Sequence, residues 1–291
     1  MDTTTRNRIG ILLLLCLILI SGITLFSINF QHSYAFRNQY GSMVPLYGYG
    51  IYAHDSYFKA PIFIGSDLTI LATTFVLLPG IIKKSQSKPL EAQIRFFSLL
   101  GILAYYAASL AFGVTYNALH LIYLALLALS LFSGLSMLLH FYDRDRHAPP
   151  CSYKLPRGMI LFLWLSGISL SVAWLPDIFS SFFQDSLSLI EVYTTEITYV
   201  LDIGILTPLI VIILHLIKTQ RFLGYVLLRM LLKLCIVIGI MLPIQTLFQL
   251  KAGSEIALPV LFVKAGIFTL LAMSAAYLEY QLKKNTQYKN V

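Results

Sequence analysis

Charge is what this 291-residue sequence has least of: 12% of its residues are Asp, Glu, Lys or Arg, about half the share found in a soluble domain. Together with 58% hydrophobic residues, that scarcity excludes a soluble globular enzyme, and the abundance of Leu, Ile and Phe excludes a disordered chain. Cysteine is scarce as well. Cys16, Cys151 and Cys235 lie far apart with no C-x-x-C or Cys/His cluster, which argues against a structural zinc site and against a thiol oxidoreductase. There is no H-E-x-x-H, P-loop or dinucleotide fingerprint, and Gly134-Leu135-Ser136 lacks the closing glycine of a nucleophile elbow. No cofactor and no metal are therefore expected. The net charge of +8 suggests nucleic acid at first sight, but the basic residues form no patch with interleaved aromatics, so no nucleic-acid partner is expected.

What the sequence has in excess is long apolar runs. A membrane-spanning helix needs about 20 apolar residues to cross about 30 Å of hydrocarbon. Eight segments meet that demand, at about 9–29, 66–82, 96–116, 118–141, 158–176, 197–217, 222–247 and 258–280. The expected fold is an all-α membrane protein, a single integral membrane domain over residues 1–291, built as a bundle of about eight transmembrane helices. The first run is long enough to be a retained anchor rather than a cleaved signal. Lys and Arg choose the orientation. Fifteen of the 21 basic residues fall on the side of both termini, three on the opposite side and three within spans, so both termini are expected to be cytoplasmic, in a bacterial cytoplasmic membrane with the lipid bilayer as first partner.

Between the first two runs, residues 30–65 form an outer loop rich in Tyr and Gly rather than in charge. It reads as a cap folded back over the outer helix ends, presenting His54 and Asp55 to a polar pocket as binding groups or an acid/base pair, with Asp67 at the mouth of the second span. The connection at Tyr116-Asn117 is so short that spans three and four must form an antiparallel hairpin. Asp143-x-Asp145 reads as part of a solvated, proline-broken turn ending at Pro149-Pro150, and Trp174 as an interfacial anchor.

The string Tyr47-Gly48-x-Gly50-x-Tyr52-x-x-Asp55-Ser56, then Gly65-x-Asp67, with Tyr116-Asn117 and Val200-Leu201-Asp202-Ile203-Gly204, resembles a pattern in a group of uncharacterised bacterial multi-pass integral membrane proteins. The resemblance covers most of the chain. It implies a helical membrane fold and gives weight to the outer loop and to Asp202, but it carries over no activity and no catalytic residue.

Ionisable groups inside spans cost several kcal/mol unless they are paired or face water. Lys233 lies about 11 residues, or about 16 Å, into the seventh run, with Arg229 and Tyr225 on the same face at i, i+4 spacing. Arg229 is close enough to the interface to be expected to snorkel. Asp202 and Lys264 match in depth and read as an ion pair, leaving Lys233 to find Asp202, a carbonyl or an anionic ligand. Pro208 and Pro243 interrupt the sixth and seventh runs, and broken helices beside buried charge build midplane sites. The ligand-binding candidates are thus His54, Asp55, Asp67, Asp202, Lys233 and Lys264. They suit a carrier or binding protein for a small molecule or lipid headgroup. The alternatives are a membrane-embedded enzyme acting on a lipid-linked substrate at the outer face and a structural or assembly subunit.

Overall fold

A computed structural model of the chain describes residues 3–87, 89–147, 153–183, 190–253 and 258–285. It is about 79% helical, and the helices follow the apolar runs: α1 Thr3–Phe26, α2 Ala60–Ser87, α3 Pro89–Gly113, α4 His120–His147, α5 Met159–Phe183, α6 Ile197–Lys218, α7 Phe222–Ala252 and α8 Leu258–Asn285. Among the described residues, seven of them are long and apolar enough to cross a membrane. The chain is an all-α, multi-pass membrane protein, since backbone polar groups in hydrocarbon must be satisfied within the segment itself.

The central helices are α3 and α7, which pack against each other and against α2 and α4, while α8 lies along α7 and α1 along α2. Small residues permit the closest approaches. A Cβ on Gly65 would fall 2.9 Å from the Gln245 Cα, and one on Gly239 would fall 2.2 Å from the Ala272 Cβ, so α2 and α8 each seat on α7 through a missing side chain, as is common where helices cannot rely on a hydrophobic driving force. On the lipid-facing sides Leu121, Phe132, Leu161, Val172 and Leu270 stand exposed.

The Tyr/Gly-rich loop is ordered. Tyr34–Arg37 (β1) and Met43–Leu46 (β2) form a two-stranded antiparallel hairpin with Tyr34 opposite Leu46, a small addition to the all-α architecture. The Tyr47-Gly48-Tyr49-Gly50 string then locks onto the end of α1. The Tyr47 hydroxyl donates to the Ser27 carbonyl (2.8 Å) and accepts from the Asn29 N–H (2.8 Å). Gly48 and Gly50 have φ of +76° and +63°, and a Cβ on either would enter His32 or Ser27, so only glycine fits. The end of the bundle that carries this loop is called the loop end below.

At the opposite end Asp145 is not in a solvated turn. It is buried in the last turn of α4, accepting the N–H groups of Phe222 (2.7 Å) and Leu223 (3.3 Å) and the Arg221 Nε (2.8 Å), so it satisfies the orphan donors at the start of α7 from another helix. Pro149, Pro150 and Cys151 lie outside the described residues.

Within α6, Val200–Leu206 is π-helical, and the Thr207 N–H bonds the Asp202 carbonyl. Pro208 gives the physical reason: it has no N–H for the Gly204 carbonyl and its ring would strike that group, so the ladder widens by one residue just before it. Such π segments often mark functional positions.

Candidate functional site

Two layers of polar side chains inside the bundle meet α3. Tyr105 and Tyr106 are consecutive and point to different carboxylates. The Tyr106 hydroxyl donates to Asp67 Oδ1 (2.6 Å) and the Tyr105 hydroxyl to Asp202 Oδ1 (2.9 Å). Asp67 is completely buried, seven residues inside α2 rather than at its mouth. Its Oδ2 accepts from Thr24 (2.5 Å) and Tyr52 (2.6 Å), and Ser21 donates to its backbone carbonyl (2.9 Å). Asp202, on the π segment, accepts the Trp174 Nε1–H at its other oxygen (2.9 Å). Trp174 therefore orients Asp202 instead of serving only as an interfacial anchor. Neither carboxylate has an ion-pair partner among the described residues, and the Lys264 side chain, expected beside Asp202, lies outside them although its backbone belongs to α8.

The second layer lies towards the opposite end. Arg229 does not snorkel. It is fully buried and holds Glu91 with both terminal nitrogens, Nη1 to Oε2 at 2.5 Å and Nη2 to Oε1 at 2.8 Å, the fork geometry that arginine gives to a carboxylate. Glu91 sits in the first turn of α3 and also accepts from Arg95 (2.8 Å). Glu279 of α8 faces Arg229 at 3.5 Å, Lys233 at 3.4 Å and Lys283 at 2.9 Å. Lys233 donates to Ser98 Oγ at 2.9 Å; its partners are thus Ser98 and Glu279, not Asp202. Four cations share two carboxylates among the described residues; Arg229 and Lys233 are enclosed, while Arg95 and Lys283 reach the margin of the cluster and are partly exposed.

From Ser98 to Tyr105 is seven residues of α3, about 10 Å along the axis. Leu99, Leu100, Ile102 and Leu103 of α3, with Leu234 and Val237 of α7, fill the interval with buried aliphatic side chains. The molecule thus has a carboxylate layer held by neutral donors and a cation-rich layer, with an apolar belt between them.

Over the loop end, residues of 190–196 close onto the Tyr/Gly loop. Asp55 is wholly buried, its Oδ1 accepting the Thr115 N–H (2.9 Å) and the Tyr193 hydroxyl (3.0 Å), while Oδ2 has no partner. Burial is the main cause that pushes its carboxyl up to about 7, with Thr115, Tyr193 and Lys59 pulling the other way. Burial likewise raises Glu191, which accepts from Ser56, and Lys59 pairs with Glu196 while lying 4.0 Å from the Tyr193 ring centre. His54 takes the opposite environment to its neighbour. It is exposed, its Nδ1 3.5 Å from the Tyr34 hydroxyl, so His54 and Asp55 do not face a common pocket.

Lys233 and Asp202 stand out in the sequence because charge interrupts apolar runs. Glu91, Glu279 and Ser98 are less visible, since each lies near a run's end or looks innocuous until α3, α7 and α8 are brought together. Tyr105 and Tyr106 carry no charge to mark them at all. Among the described residues no group of three or more His, Cys, Asp or Glu is placed to hold a metal ion. No family model, curated protein or solved structure matches the chain, so function rests on geometry.

Proposed function

We propose that this is an eight-span carrier or binding protein of the bacterial cytoplasmic membrane, with both termini cytoplasmic, that takes a zwitterionic small molecule or lipid headgroup into the bundle. The observation that carries the reading is the segregation of charge along α3: Asp202 of α6 is held by Tyr105 and Trp174, both neutral donors, while Lys233 of α7 meets Ser98, about 10 Å along the α3 axis, in a cluster with more cations than carboxylates. A ligand with an anionic and a cationic group meets a complementary layer at each level, and the apolar belt between them forms the closed barrier across which a carrier must pass it. Buried charge of this kind is expensive to maintain and is the usual mark of a substrate pathway. The separate environments of His54 and Asp55 favour binding over acid/base chemistry at the outer face.

Thermal unfolding of the detergent-purified protein with phosphoethanolamine, phosphocholine, choline or inorganic phosphate tests this. Either zwitterion is expected to stabilise the wild type, by about 2.7 kcal/mol at a hundredfold excess over its Kd, and to lose that effect in Lys233→Met. Equal responses in the two proteins, or no response to any of the four probes, would falsify the reading.

A further inference from the structure

Asp67 is a completely enclosed carboxyl of the bundle, and its surroundings are of one chemical kind. Thr24 and Ser21 face it from α1, Tyr52 from the loop and Tyr106 from α3. Nearby on α7, Gln245 is spent on Ser66, its Nε2 donating to the serine Oγ at 2.7 Å. Every side chain bonded to the carboxyl is a neutral hydroxyl, and none of the described ion pairs includes it. A cage for a metal cation presents lone pairs to the ion. Here the hydroxyls are placed to aim hydrogens at the carboxylate oxygens instead. A hydroxyl also accepts, so a protonated Asp67 can donate back to Thr24 or Tyr52, and the proton removes a fully buried charge that no described cation pairs.

We propose that Asp67 is a proton-binding site, filled from the loop end, whose Tyr52 is bonded to it. Filling adds one proton from a hydronium ion to the carboxylate, leaving water outside and a neutral carboxyl inside. This goes beyond the carrier reading, for which the proton is the coupling ion, and the experiment reads the proton and not the ligand.

Infrared difference spectra of the wild-type protein in liposomes, taken on acidification, test it. A carboxylic-acid C=O absorption is expected to appear and to shift in heavy water. Asp67→Asn should abolish that component, and Tyr106→Phe, which removes one hydrogen bond but keeps the carboxyl, should retain it at a displaced frequency. If Asp67→Asn fails to fold, the Tyr106→Phe displacement decides alone. The proposal is overturned if the component survives in Asp67→Asn, if it is absent from the wild type, if only Asp55→Asn removes it, or if Tyr106→Phe leaves its frequency unchanged.

Discussion

Asp55 is a residue whose charge opposes the fold. Its carboxyl binds a proton more tightly in the folded chain, at about 7, than in the unfolded chain, at about 3.9. Between those values the folded state holds more protons, so stability falls as pH rises, by about 4 kcal/mol as an upper bound. Glu191, also raised, adds to the same trend. The unfolding midpoint of the wild type is therefore expected to drop from pH 4 towards pH 7, with Asp55→Asn showing a much flatter profile; parallel profiles for the two proteins would contradict this. None of it was legible from the His54-Asp55 pair as written, because adjacent residues in an irregular loop take opposite environments only once Tyr193 and Thr115 have closed over one of them. Lys233 and Asp202 were legible as buried, since no neighbouring apolar run offers them water. Their partners were not, because a partner is a property of packing.

Among the elements, the helices followed directly from apolar length, and even the close of α2 onto α3 needs only Pro89 at a first helical turn. The β1–β2 hairpin and the π segment of α6 escaped that reading. The first is four residues per strand within a Tyr/Gly-rich loop, too short for alternation to register, and the second arises from Pro208 acting on a register one turn earlier. Helix contact makes its own prediction. Gly239→Ala forces a Cβ to within 2.6 Å of the Phe268 carbonyl oxygen and 2.2 Å of the Ala272 Cβ, while a Cβ at Gly204 meets nothing within 4 Å. The first substitution should cost about 1–3 kcal/mol by prising α8 from α7, and the second should leave stability near wild type. Chemical or thermal unfolding of both variants checks the contrast, and equal losses would mean that the α7–α8 contact is not close.

For the whole molecule, the low charge noted at the outset becomes a map. The few described ionisable groups inside the bundle are sorted into a layer of carboxylates under neutral donors nearer the loop end and a cation-rich layer nearer the opposite end, both meeting α3. Two layers of opposite character separated by about 10 Å of aliphatic side chains are more than helix stapling requires, since a staple needs only matched pairs. The central claim is that a ligand entering the bundle is held through its cationic group by Asp202 and through its anionic group by Lys233. Native mass spectrometry of protein extracted gently from its membrane tests it most directly, with Lys233→Met, Asp202→Asn and the Gly204→Ala control measured alongside. The account predicts a small molecule or lipid retained by the wild type and the control and lost from both charge variants. A bare wild type, an identical adduct on all four proteins, or a retained protein subunit in place of a small ligand would contradict it.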